Sequence, residues 1–265
     1  MFKGTPRSVT ILCQVLLTVF GIIFAAPLLV MIAVSVQGRG LGNYLMVIQQ
    51  PYLPRFALNS IFVAVSVIAL VYGVTVIAAY AFSKLRFRGR SLFFNAVIIG
   101  LMIPGIALVV PIFLLFRALN LFDNYLALIL PITAGVLPFG VLLMRSGLDG
   151  LPNEILDAAS IDGCNSFQAL LMVVIPLIKP TTIVLIVWSF LSSWNDYFTA
   201  LVYMRNDQML PLTHLPNYFI RHEMTNAPDF GPIFASLVLI SLPVMITYMG
   251  LQRYFEDGFV SGALK

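Results

Sequence analysis

The sequence predicts an all-α, polytopic membrane protein with six transmembrane helices. Three observations carry this. Of 265 residues, 60% are apolar and only 10% charged, where a soluble domain carries about 25% charged, and the mean hydropathy is +0.98. The apolar residues gather into six runs of roughly the 20-residue length a bilayer core requires. The segments between those runs hold most of the charge. Lipid offers no partners for backbone N–H and C=O groups, so each run is expected to be helical.

In order, the runs are Val9–Val36, Leu58–Phe82, Ser91–Phe116, Tyr125–Ser146, Leu177–Tyr203 and Gly231–Gln252. The first exceeds the roughly 7–15 residues of a secretory apolar region. Its Ala25-Ala26 is followed by Pro27, a poor cleavage context, so it reads as an uncleaved signal anchor. Pro104-Gly105 and Pro111 interrupt the third run, Pro131 and Pro138 the fourth, and Pro243 the sixth. Proline removes a backbone donor and kinks a helix, so these spans are expected to bend and to line a pore that changes shape. Proline is also simply frequent in membrane helices. Residues 1–265 read as one transmembrane domain.

Lys and Arg orient the chain. With the N-terminus inside, Lys3, Arg7, Lys84, Arg86, Arg88, Arg90, Arg145, Lys179, Arg253 and Lys265 are cytoplasmic, whereas Arg39, Arg55, Arg117, Arg205 and Arg221 are outside. The Lys84–Arg90 cluster in a short loop is the strongest vote under the positive-inside rule. As a topology determinant it calls for no nucleic-acid partner.

The cytoplasmic loop at about 148–176 is the most informative segment. Pro152 suits the first turn of a helix, and Leu151, Ile155, Ala158 and Ala159 fall at helical spacing, an apolar stripe with small residues expected to face outward. Gly163 is expected to end that helix at positive φ. Asn165 and Gln168 stand at capping-box spacing for a second helix running toward Pro176 and Pro180. Glu154, Asp157 and Asp162 make the elbow acidic, which argues against an anionic membrane surface and suits docking on a soluble partner.

This arrangement, Asp157-Ala158-Ala159, then Gly163, then Val173-Val174-Ile175-Pro176, resembles the EAA loop of binding-protein-dependent ABC importer permeases. Asn59-Ser60, Ala78-Ala79-Tyr80-Ala81-Phe82 and Ser193-Trp194-Asn195-Asp196-Tyr197-Phe198 resemble spans two and five of carbohydrate-type permeases. The tail, Gln252-Arg253-Tyr254-Phe255 and Gly258 through Lys265, is similar to the ending of the shorter permease of maltose-type importers. Asp157 stands where Glu is usual and Cys164 where Ala is usual, and the outer segment between the first two spans is short.

The resemblance implies a type I importer permease fold and a membrane subunit that translocates a carbohydrate or related polyol. It implies a second homologous permease, two ATPase subunits carrying ATP and magnesium, and an extracytoplasmic substrate-binding protein. Specificity would rest largely on that protein and the paired permease. The location implied is a bacterial or archaeal cytoplasmic membrane, multi-pass, with both termini cytoplasmic. Glu154, Asp157, Ala158, Ala159, Asp162 and Gly163 are the implied ATPase-coupling residues, and Gly258, Gly262 and Lys265 a C-terminal ATPase contact in which the glycines let the backbone pass through a groove.

The residues point to no chemistry in the chain itself. No GxxxxGK[ST] loop is present to cradle phosphates, and no HExxH pair to hold zinc. Cys13 and Cys164 form no CxxC pair. His214 and His222 fall in the outer loop between spans five and six, where they read as solvated. Catalytic and metal residues are therefore expected to be absent, as is a cofactor in this chain. Trp194, Asn195, Asp196 and Tyr197 are the tentative substrate path, because an ionisable group inside an apolar run is costly unless it faces a cavity or partner. Two other readings stay open: Asp196 solvated near the outer interface with Trp194 and Tyr197 in an aromatic belt, or Asp196 paired with an arginine of the partner permease. The alternative function is a secondary carrier or small polytopic membrane enzyme. A carrier would be expected to show an internal repeat and coupling-ion acids, and the spans hold almost no acid besides Asp196.

Overall fold

A computed structural model describes the backbone of residues 7–222 and 229–263 and the side chains of 8–220 and 229–251. All regular structure among the described residues is helical: α1 (Arg7–Ser35), α2 (Gly42–Ile48), α3 (Leu53–Lys84), α4 (Arg90–Ile99), α5 (Val109–Ala118), α6 (Leu126–Asp149), α7 (Glu154–Ile161), α8 (Ser166–Ala169), α9 (Ile175–Leu177), α10 (Lys179–Trp194), α11 (Phe198–Tyr203), α12 (Leu215–His222) and α13 (Phe230–Ala263). Four helices are long and apolar enough to cross a membrane alone: Ser8–Ser35, Leu53–Lys84, Leu126–Asp149 and Phe230–Leu251. Two bent pairs, Arg90–Met102 with Gly105–Ala118 (96°) and Ser166–Leu177 with Lys179–Trp194 (84°), bring the number to six when each pair is one span.

Two of the expected continuous spans are thus broken. The third breaks at Ile103-Pro104, where Pro104 takes extended backbone (φ −66°, ψ 126°) and cannot donate to the preceding turn. The fifth stops at Trp194 and restarts at Phe198. The remaining prolines behave differently: Pro131 and Pro138 lie inside an unbroken α6, and Pro243 inside α13. Pro138 instead seats the break, since a Cβ on Gly100 would lie 3.0 Å from its ring.

The chain divides into two compact units. One comprises the residues up to Leu53 together with His214–Leu242. Its α1 buries none of its most apolar window, as expected of a helix solvated by lipid on all sides. Asn43, fully buried, donates to Ser35 O (2.9 Å) and Gln37 O (2.8 Å), satisfying orphan carbonyls at the end of α1. Gly231 leaves room for that amide, as a Cβ there would lie 2.3 Å from Asn43 Nδ2. His214, expected to be solvated, is buried; packing of its 3-10 turn outweighs the polarity of the surrounding sequence.

The other unit, Pro54–Thr213 and the residues from Pro243, is organised around α6. Val63, Val67 and Val71 of α3 recur every fourth residue and join Leu128, Ile132 and Val136 of α6 and Leu185 of α10 in one apolar core. Small residues set the approach, as is usual where lipid gives no hydrophobic drive between helices. A Cβ on Gly140 would lie 2.7 Å from Thr75 Cγ2 and 3.0 Å from Leu185 Cδ1, and one on Gly147 2.7 Å from Thr181 Oγ1. Glycines seven residues apart on α6 therefore dock α3 and α10 along one seam.

Candidate functional site: the coupling elbow

The elbow follows from local chemistry. Glu154 and Asp157 lie in the first turn of α7, complementing the positive end of its dipole. Gly163 has φ +86°, and its N–H donates to Ser160 O (3.1 Å) while Cys164 N–H donates to Ala159 O (2.9 Å). That pair of bonds is the Schellman arrangement, which ends the helix with its last carbonyls satisfied. Asn165 Oδ1 then accepts from Phe167 N–H (3.1 Å) and Gln168 N–H (2.9 Å), and Gln168 Oε1 accepts from Asn165 N–H (2.9 Å). The expected helix stop and capping box are both present.

The expected outward face needs one correction. Glu154, Asp157, Ala158, Asp162 and Gly163 are exposed, but Ala159 is buried. Leu151 and Leu156 are half-buried against the core, so the apolar stripe of α7 turns inward and Ala159 goes with it. The exposed apolar groups are Ile161 (87%) and Phe167 (61%), either side of the Gly163 turn.

What fastens the elbow was not anticipated. Lys84 Nζ, at the end of α3, donates to Leu151 O (2.8 Å) and Asn153 Oδ1 (3.1 Å). Ser83 Oγ donates to Asp149 Oδ1 (2.5 Å), and Asp149 also pairs with Arg145 (3.3 Å). Arg145 lies 3.9 Å over the ring of Phe94. The ends of α3, α4 and α6 are thus tied to the root of α7. Beyond the elbow the backbone makes a π turn at Leu170–Val174 just before Pro176, and then bends into α10.

The elbow is thus an acidic, exposed helix–glycine–helix knob bolted to the ends of apolar spans. Residues 72–260 match the family described as the binding-protein-dependent transport system inner membrane component. This chain belongs to that family. The permease is 33% identical over 219–225 residues to relatives that include the sulfoquinovosyl glycerol transport permease SmoH of Agrobacterium fabrum, which it matches over 85% of its own length and 78% of the relative's. It is 32% identical to the arabinooligosaccharides transport permease AraQ of Halalkalibacterium halodurans, over 78% of this chain and 72% of that one. Among solved structures, a chain of a bacterial ABC transporter that imports the acidic polysaccharide alginate superimposes with a TM-score of 0.80 at 28% identity, covering 96% and 99% of the two chains.

Within the permease, the segment read as a substrate path sits at a helix break rather than inside a span. Asn195–Tyr197 separates α10 from α11. Asp196 accepts from Thr199 N–H (3.0 Å) and Thr199 Oγ1 (2.8 Å), which caps the first turn of α11, and its carbonyl accepts from Thr213 Oγ1 (2.9 Å). Trp194 is buried and stacked on Phe190 (5.3 Å between centroids), so it presents no free aromatic face. Asn195 and Tyr197 remain exposed.

The same end of the unit has a second hub. Asn59 Nδ2 donates to Gln208 O and Leu210 O (both 2.9 Å), and its Oδ1 accepts from Tyr125 OH (2.7 Å). Ser60 Oγ accepts from Leu212 N–H (2.7 Å). The polar pair Asn59-Ser60 in an apolar run was the available signal. At the C-terminus, the backbone through Gly258 and Gly262 continues α13 as helix to Ala263 rather than running extended. Lys265 lies outside the described residues.

Proposed function

We infer that this permease carries a carbohydrate or related polyol inward, driven by ATP hydrolysis on separate ATPase subunits that hold ATP and magnesium. The observation that carries the reading is the coupling elbow: an exposed acidic helix, ended by Gly163 at φ +86° and tied by Lys84 and Asp149 to the ends of α3 and α6. A push on α7 acts on the roots of two spans at once. The carbohydrate class is supported by relatives named for transport of sulfoquinovosyl glycerol and arabinooligosaccharides and by the alginate importer's chain. The working assembly is this chain, one homologous permease, two ATPase subunits and an extracytoplasmic binding protein, in a bacterial or archaeal cytoplasmic membrane.

In this reading residues 1–265 act as one membrane domain, both termini are cytoplasmic, and the loop at 148–176 faces the ATPase. Glu154, Asp157, Ala158, Asp162 and Gly163 form the contact face, and Ala159 positions it. Gly258, Gly262 and Lys265 belong to a C-terminal ATPase contact, in which the glycines let the backbone pass closely through a groove between the ATPase subunits. Asn195 and Tyr197 are the remaining substrate-path residues.

Reconstitution tests this. The permease is assembled with its companion permease, ATPase and binding protein in proteoliposomes, and labelled oligosaccharides are offered. ATP-dependent accumulation of a sugar supports the reading; accumulation driven by an ion gradient without ATP refutes it.

A further inference from the structure

α6 has 24 residues and is roughly 36 Å long, about a bilayer's thickness. Its C-terminal end meets the coupling elbow. At its other end, the turn joining α5 to α6 and the residue two past α11 enclose an open cavity of about 470 Å³. The floor is aromatic: Phe113 meets Phe122 edge-on at 4.8 Å, and Phe116 meets Tyr203 at 5.4 Å. Arg117, Asn120, Asp123 and Arg205 supply the polar lining.

Asp123 does not neutralise the arginines. Its Oδ1 accepts from the backbone N–H groups of Arg205 and Asn206, the latter at 2.9 Å. Among the described residues neither guanidinium has an ion pair or hydrogen bond, whereas Arg39 pairs with Asp229 (3.9 Å) and Arg55 donates to Gln208 O (2.9 Å). Arg117 alone has a bland explanation, as a cation in the last turn of α5 facing the negative end of its dipole. Arg205 has no such excuse, and arginines opposite the cytoplasmic face run against the usual charge bias.

Asn120 (φ +54°) and Asp123 (φ +52°) are the two non-glycine residues at positive φ among the described residues. Asparagine and aspartate enter this region more readily than other non-glycine residues, and here the Asp123 carboxylate ties the turn to the Arg205 and Asn206 N–H groups. Leu114 (58%) and Leu115 (53%), within one turn before Arg117 on α5, and Leu119 (57%) just past the end of α5 are exposed apolar groups.

We propose that this pocket binds the phosphodiester headgroup of an anionic phospholipid of the outer leaflet. Arg117 and Arg205 face the phosphate oxygens, the phenylalanine floor receives the glycerol carbons, and the acyl chains descend along Leu114 and Leu115. The exposed leucines beside Arg117 favour a lipid over an acidic side chain of a soluble protein, which would leave them uncovered.

The test is native mass spectrometry of the assembled importer titrated with phosphatidylglycerol or phosphatidylethanolamine. Arg117→Gln with Arg205→Gln is expected to weaken phosphatidylglycerol binding by about fivefold per arginine and leave phosphatidylethanolamine unchanged. Complex mass and melting temperature report on assembly. If the double variant fails to assemble, the exposed Arg205→Gln alone is expected to show the single fivefold loss. Arg86→Gln with Arg88→Gln, on the opposite side, is expected to leave this binding step intact. Unchanged phosphatidylglycerol binding in the folded variants overturns the proposal, as does an equal loss for both lipids. Displacement by millimolar glycerol phosphate assigns the pocket to a free anion, and weaker capture of the binding protein with lipid binding intact assigns it to a protein carboxylate; either overturns it.

Discussion

Replacing Gly163 by valine isolates the elbow's geometry from its surface chemistry. A Cβ at Gly163 would meet nothing within 4 Å, so the substitution causes no clash and any effect is conformational. At φ +86° an L-residue pays about 1–2 kcal/mol, at the upper end for a β-branched one. If valine returns to negative φ instead, the bonds Cys164 N–H to Ala159 O and Gly163 N–H to Ser160 O are lost, each worth about 1 kcal/mol net. Both routes give a local penalty of about 2 kcal/mol, roughly thirtyfold in the population of the bent elbow, against a global stability of about 5–15 kcal/mol. Gly163→Val is therefore expected to insert and assemble normally while binding-protein-stimulated ATP hydrolysis and transport in proteoliposomes fall at least tenfold. Gly163→Asn, whose side chain tolerates positive φ, should retain most activity. Wild-type transport by the valine variant would refute the reasoning. So would an asparagine variant as impaired as valine, since the deficit would then come from side-chain volume at a docking surface and not from φ.

Lys84→Met removes a charged donor from Leu151 O and Asn153 Oδ1 and should lower the sugar transported per ATP severalfold, with Lys84→Arg restoring it; an unchanged ratio in paired transport and phosphate-release assays sinks the strut. Gly147→Val places a branched Cβ against Thr181 and should lower the melting temperature of the detergent-solubilised complex by several degrees, with Gly135→Ala, whose Cβ meets nothing, as the neutral control. Asn59→Leu leaves Leu210 O without its donor and Gln208 O with Arg55 Nε alone, and should loosen the segment after α11, read as faster hydrogen exchange at 206–212. Truncation after Asp257 should weaken ATPase co-purification while leaving insertion intact; wild-type stoichiometry and transport rate would show residues 258–265 to be dispensable.

Composition made the fold class legible because a chain this poor in charge can satisfy its backbone in lipid only as helix. The elbow was legible for a different reason: Gly163, Asn165 and Gln168 act on backbone within four residues, and local geometry is what spacing encodes. Sequence reasoning failed where a residue's partner lies far along the chain. Lys84, read as a topology determinant, also donates to Leu151 O at 2.8 Å, a contact that no local spacing shows. Ala158 and Ala159 are the same side chain about 100° apart on the helix, and only the position of the core decides that the first is exposed and the second buried. Asp196 lies at the break Asn195–Tyr197, which hydropathy averaging hides, and its carboxylate is bonded to Thr199 three residues on.

The prolines sharpen the same point. Pro104 and Pro131 both sit mid-run in apolar sequence, yet one separates segments meeting at 96° and the other lies in an unbroken helix. Near Pro104 two glycines, Gly100 and Gly105, flank the break, and Gly100 fits against Pro138 of α6. The bend is therefore a docked feature, held from the side by a second helix. Pro138 in turn lies two residues from Gly140, where α3 and α10 converge. A shift of α10 relative to α6 acts on the same stretch of α6 that seats the break in the third span. Since α10 begins where the elbow's second helix ends, the coupling role proposed for α7 would have two packed routes into the membrane: through Lys84 and Asp149 to the ends of α3 and α6, and through Ile178 into α10 and the Gly140 seam. Weakening the first with Lys84→Met should thus leave partial coupling, whereas misdirecting the elbow at Gly163 disturbs both.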